Sequence, residues 1–358
     1  MHKKIAVTLG VVSTLLIAYL LFWPVPIDPV AWTAPVAPVV AQNTLLAATE
    51  RLAPGFGNAP EDVAFDAEGR IYGSCGDGRI IRLAPDGSNP AVFANTGGRP
   101  AGLRFDKTGN LIVADCLKGL LSISPGGEIR TLATTAGGVP FKFTDDVDIA
   151  ADGTIYFTDA TSKFDIQHFV LDALEHRPNG RFLAYDPATG ATRVLLDDLY
   201  FANGVAVAPD QSYVLVCETN AYRIRRYWLT GDKAGTSDVW VDNLPGFPDG
   251  VLSNGRGTYW VALASPRDNY VDMLLRHPFL RKILARLPSS TLPGPKPYGW
   301  LLGLDESGKV VADMQDPTGR AFSNVTNVVE HDGRLYLGSL SETGIGRVPS
   351  PLGGAPVE

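Results

Sequence analysis

The chain has only three cysteines among 358 residues, so it cannot be a small fold stapled by a disulfide framework. Charge is sparse too, with Asp, Glu, Lys and Arg together at 19 %. Basic residues are the scarcer sign: 31 Lys and Arg against 38 Asp and Glu leave a net charge of −7. A nucleic-acid partner needs a basic footprint, and this composition argues against one. What is plentiful is Gly (38) and Pro (27), beside a hydrophobic content of 45 %. That apolar fraction excludes general disorder and is enough for a core. Length alone allows two domains, but large β folds run to about 250 residues as one unit.

One long hydrophobic run stands apart. Ile5–Trp23 carries no charge over nineteen residues. As a helix it is about 28 Å long, close to the hydrocarbon thickness of about 30 Å. His2, Lys3 and Lys4 precede it, and Tyr19, Phe22 and Trp23 lie at its far end. Basic flanks stay cytoplasmic, and aromatic rings favour the headgroup zone. A signal peptide cut after Ala41 is the competing reading, but signal apolar regions span only about 7–15 residues. Residues 1–23 therefore read as a cytoplasmic stub and single-pass membrane anchor. The remainder is then expected in a periplasm, or in a lumenal or extracellular space. Residues 24–48, with Pro24, Pro26, Pro29, Pro35 and Pro38, read as an extended tether holding the domain off the membrane.

One pattern then recurs in six copies, starting at Asp62, Gly102, Asp146, Gly204, Gly250 and Asn327. Each copy is an alternating apolar strand, a turn, and a second alternating strand, as in Asp62-Val-Ala-Phe-Asp-Ala-Glu-Gly-Arg-Ile-Tyr72. Period-2 alternation around such turns marks antiparallel hairpins. Six units of about 40–50 residues, with outer strands such as Arg181–Asp186, predict an all-β, six-bladed β-propeller over residues 49–358 rather than a sandwich.

Two inserts interrupt the repeat, Ser162–Arg177 and Asn269–Leu287, each with helical apolar spacing. Each follows the second strand of a blade, so both are expected to overhang the face where the inner strands begin, as a lid. Phe169, Leu174, Met273 and Phe279 are expected to wall an apolar pocket, with His168 and His176 in reach as proton carriers. Arg276, Arg281, Lys282 and Arg286 give the second insert a basic, amphipathic character suited to an anionic membrane surface. A plain capping helix is the alternative.

The residue just before each innermost strand should face the central channel. These are Glu61, Asp145 (followed by Asp146), Asn203 and Asp249, in equivalent register. Carboxylates sharing a low-dielectric channel repel one another unless a cation joins them. Acid and amide oxygens suit a hard cation, and the lack of His and Cys argues against zinc. Calcium accepts a flexible oxygen shell where magnesium demands an octahedron. Ca²⁺ is thus the expected metal. Turn capping remains the plain alternative for any one acid. Cys75, Cys116 and Cys217 read as buried free thiols.

These positions, with Tyr156-Phe-Thr-Asp-Ala-Thr-Ser-Lys-Phe164, Leu199-Tyr-Phe-Ala-Asn-Gly-Val-Ala206, Leu244-Pro-Gly-Phe-Pro-Asp-Gly250 and His277-Pro-Phe-Leu-Arg281, carry a family resemblance. The chain resembles the strictosidine synthase-like branch of the calcium-dependent six-bladed propellers over roughly Thr49 to Val348. Its anchored architecture is similar to the adipocyte plasma membrane-associated protein family, credited with arylesterase activity. Gluconolactonase and paraoxonase are more distant relatives. The resemblance implies catalytic calcium at Glu61, Asn203 and Asp249, with Asp145 where relatives carry Asn. It also implies a possible second, structural ion at Asp62 and Asp146. Two departures matter. Gly98-Arg-Pro-Ala-Gly-Leu103 lacks the paraoxonase His dyad, and Phe322-Ser-Asn-Val-Thr-Asn327 lacks the acid of true strictosidine synthase. The expected activity is therefore calcium-dependent hydrolysis of a lactone or aryl ester, not condensation. Asp249 is expected as general base or nucleophile. A non-enzymatic, calcium-stabilised interaction platform is the second reading.

Overall fold

The computed structural model describes residues 2–288, 291–292 and 294–353. Six four-stranded antiparallel sheets follow one another as blades, and their innermost hairpins coincide with the six sequence repeats. Five blades are built from consecutive strands; the sixth is closed by the N-terminal strand Glu50–Leu52, which pairs with Ile345–Pro349. That closure joins the two ends of the domain in one ladder, so neither end can peel away alone.

The core lies between blades rather than at one centre. Tyr72 and Ile80 of the first blade pack on Leu103, Leu111 and Val113 of the second. Tyr156 and Phe182 of the third pack on Val205, Val214 and Val216 of the fourth. Leu46, Trp260, Leu301 and Phe322 fill the space between the fifth and sixth, where Trp260 is almost wholly buried. Each fully buried side chain of this kind contributes about 1.5–3 kcal/mol. All three cysteines are buried free thiols, as expected.

A helix α1 (His2–Phe22) is long and apolar enough to cross a membrane. The inserts form α2 (Phe169–Glu175), α3 (Asn269–Leu275) and α4 (Pro278–Leu284). The second insert is thus two helices, broken where Pro278 opens α4 after the N-cap His277. Arg281 does not join a basic surface, because it is fully buried. The tether is also not a free spacer. Ile27 is buried against Phe164 and Leu174, and the Val30 and Trp32 amides donate to the Glu175 and Leu275 carbonyls (3.3 and 2.9 Å). Asn43 bonds Asp313 and Gln315 of the fifth blade. Apolar residues between its prolines make this segment a strap across the lid.

Candidate functional site

The sheet register explains how the blades feed the channel. In the third blade, Thr144 pairs with Asp159 and Val147 with Phe157, and the register shifts between them. The same shift occurs between Pro100 and Leu103, Ala202 and Val205, Pro248 and Val251, and Val325 and Val328. Such bulges release two residues from the ladder and re-aim their side chains. The released pairs include Asp145–Asp146, Asn203–Gly204 and Asp249–Gly250. In the first blade, the inner strand starts at Val63, directly after Glu61–Asp62.

Hydroxyls lock three of the blades to the next. Ser74 Oγ accepts from the Asp62 amide (3.0 Å) and donates to the Ala101 carbonyl (2.6 Å). Thr158 Oγ1 accepts from the Asp146 amide (3.1 Å) and donates to the Asn203 carbonyl (2.8 Å). Thr326 Oγ1 donates to the Glu61 carbonyl (2.6 Å), joining the sixth blade to the first. Buried acids at the ends of second strands fix the loops before the ring. Asp115 accepts from the Arg99 amide, Asp159 from Phe143 and Glu218 from Tyr200 (3.0, 2.8 and 3.1 Å). These acids recur at one repeat position, a signal the sequence reading passed over.

Glu61, Asp145, Asn203 and Asp249 all line one cavity beneath the lid. They also line a narrower space with Asp62 and Asp146 deeper in the channel. Each is buried. Burial first, then the charges of Glu61 and the neighbouring aspartates, push the Asp145 and Asp249 carboxyls well above the usual carboxylate range. The neighbouring Asn203 amide partly offsets this at Asp249. Arg99, which sequence reasoning missed, places Nη2 2.5 Å from Glu61 Oε2. The pair is close but poorly aligned, and Glu61 Oε2 accepts no hydrogen bond. Among the described residues, no three His, Cys, Asp or Glu side chains close to ligand distances. The donor chemistry nonetheless fits a hard cation: buried, mutually repelling acids and an amide share one space.

Asp62 and Asp146 serve differently. Asp62 Oδ2 accepts from the Leu103 amide (2.7 Å) and from Arg104 Nη1 (3.0 Å). Asp146 Oδ2 accepts from the Val205 amide (2.9 Å), and burial raises its pKa to about 7 against the opposing Arg104 charge. Both carboxylates staple neighbouring blades, and the Arg104 guanidinium lies beside Asp62, one of the two acids expected to hold a second ion. Arg104 sits in the alternating Leu-Arg-Phe of a repeat, where it reads as a surface residue.

The layer also depends on close approach. A Cβ on Gly204 would lie 2.4 Å from the Asp249 carbonyl oxygen. Gly204→Ala is expected to destabilise the fold by about 1–3 kcal/mol and to weaken metal binding by shifting Asp249. Denaturant titration with and without calcium checks this.

The cavity above the ring is about 210 Å³, walled by Phe143, Phe169, Leu174, Phe201, Phe247 and Leu274 among others. Phe169 and Leu174 thus lie where expected. His168, Met273 and Phe279 do not: their exposures are large, with Met273 at 41 % and Phe279 at 58 %. His168 is the N-cap of α2 and bonds Asp165 (2.7 Å) on the surface. Val271, Leu274 and Leu275 face the pocket, which turns Met273 outward. His176 is buried outside the pocket against Trp32 and Tyr200. Burial, then the Arg281 and Arg223 charges, lower its pKa to about 3, so it is no proton carrier near neutrality.

The strictosidine synthase family model matches residues 145–232, and the model "strictosidine synthase-like, N-terminal" matches residues 39–83. Protein STRICTOSIDINE SYNTHASE-LIKE 4 of Arabidopsis thaliana is 39 % identical over 331 residues, covering 90 % of this chain and 88 % of the relative. The adipocyte plasma membrane-associated protein of Rattus norvegicus is 35 % identical over 340 residues, covering 88 % and 90 %. Among solved structures, a gluconolactonase from Xanthomonas campestris superposes with a TM-score of 0.62 at 17 % identity, covering 91 % and 99 %, a likeness of fold. Identity at this level along nearly the whole chain, over the blades that supply Glu61, Asp145 and Asn203, shows that the chain belongs to the strictosidine synthase-like family.

Proposed function

We propose that the chain is a membrane-anchored, calcium-dependent hydrolase of lactones or aryl esters. The observation that carries this is a ring of oxygen donors from four blades opening into an apolar, lidded cavity. Glu61, Asp145, Asn203 and Asp249 would hold one Ca²⁺, which when bound supplies Lewis acidity toward a carbonyl oxygen. Asp249 takes up the proton of the attacking water, and Asn203 orients its carboxyl. Phe143, Phe201 and Phe247 hold the apolar part of the substrate, while α2 and α3 limit water entry. Arg99 restrains Glu61. The basic N-terminus stays cytoplasmic and α1 spans the bilayer, in keeping with the membrane association in the name of one relative.

Turnover of phenyl acetate and a lactone panel by the full chain, with calcium and with chelator, tests this reading. Calcium-dependent turnover is expected. Turnover indifferent to chelator contradicts it. No turnover, with calcium still raising Tm, would favour the interaction platform.

The acids also set a pH dependence. The folded pKa values of Asp145 and Asp249 lie above the unfolded ones, so the ion-free protein gains from these two at low pH. That gain is lost as pH rises from about 4 through the raised values, the Asp146 value being about 7. Calcium needs the deprotonated ring, so its stabilisation grows over the same window. The calcium-induced rise in Tm is expected to be larger at about pH 8 than at about pH 5. Equal rises in a thermal-melt series would contradict the assignment.

A further inference from the structure

The chain leaves no slack between α1 and the lid. The Tyr19 hydroxyl donates to the Arg286 carbonyl (3.0 Å), and Arg286 Nε donates to the Trp23 carbonyl (2.6 Å). Contact thus begins in the last turn of the helix, at Tyr19, and continues at Trp23 just after it. A few residues on, Ile27 is buried in the lid, and Asp28 pairs with Arg177 (2.6 Å) and Lys282 (3.5 Å). If α1 spans a bilayer, the lid is held at its surface rather than a tether's length away.

The outer surface of the lid matches that position. Tyr270, Met273, Phe279 and Leu280 are 41–58 % exposed on two seven-residue helices. Arg276 is exposed between them. Such a cluster of large apolar residues is unusual on a water-facing surface. Beside a cation, it is the composition of an interfacial helix.

We propose that the outer face of α3–α4 is a bilayer-docking surface, occupied by the lipid of the membrane that holds α1. The proposal rests on α1 as a membrane span. α3 exposes Tyr270 and Met273 while its Val271 and Leu274 line the pocket wall. An apolar substrate dissolved in the bilayer therefore reaches the pocket past α3.

The test uses the full chain in phosphatidylcholine–phosphatidylglycerol vesicles. The three native thiols are buried, so single spin labels are placed through Leu280→Cys, Leu15→Cys and Ala151→Cys. Ala151 lies exposed in the turn after the inner strand of the third blade, on the end away from the lid. Collision with a water-soluble nickel chelate is expected to be severalfold lower at position 280 than at 151, with oxygen collision higher. A label at 280 as wet as that at 151, with 15 in lipid, overturns docking and leaves the anchor standing. A wet label at 15 removes both. A label at 280 shielded from nickel and oxygen alike means that protein covers the face, and also overturns the proposal.

Discussion

Asp249→Asn is expected to lower turnover of phenyl acetate or lactone by at least about a hundredfold, the usual scale for losing a general base. The substitution keeps the side chain's size and removes its charge. Burial and the Glu61 charge already oppose ionisation of Asp249. Without calcium, the variant is therefore expected to melt no lower than the parent, and its calcium-induced rise in Tm should shrink. Kinetics and melts on the same preparation separate the two effects. A variant that retains turnover would remove Asp249 from the chemistry. One that loses turnover only by unfolding would show a lower melt in chelator.

Arg281→Met is expected to open the lid. The Arg281 side chain is fully buried, pairs with no carboxylate among the described residues, and burial lowers its pKa to about 10. Its guanidinium donates to the carbonyls of Leu174 and Glu175 at the end of α2, Leu275 at the end of α3, and Val30 of the strap. These helix ends carry partial negative charge, which a cation stabilises. Methionine fills the space but leaves the carbonyls unpaired. The expected loss is about 3 kcal/mol of lid closure, equivalent to roughly hundredfold faster local opening. Amide exchange at Val30 and Trp32, whose N–H groups bond the same helix ends, reads this directly. The blade amides should keep their protection. Unchanged exchange at these two amides would show that the strap and lid close without Arg281.

The blades were legible because inner strands alternate and their turns carry Asp, Gly or Asn, a local signal repeated six times. The ring was legible for the same reason: a bulge at a fixed register turns each hairpin start toward the axis. Arg99 was not, because its role depends on meeting Glu61 across a blade boundary. The pocket walls were half legible. Helices of seven residues show too few turns to say which side packs, so Phe169 was placed correctly and Met273 and Phe279 were not. Proline spacing in residues 24–48 gave the extended form, but Ile27 and Trp32 find their partners only in the folded lid. Arg104 was not legible either, because it meets Asp62 and Asp148 only across blade boundaries.

Calorimetric titration of calcium into the chelator-stripped full chain tests the central claim most directly. The expected result is one ion per chain, with binding strongly weakened by Glu61→Gln and by Asp249→Asn and little changed by Asp62→Asn in a protein that remains folded. No binding, or binding indifferent to Glu61 and Asp249, would contradict a calcium centre at the mouth of the channel.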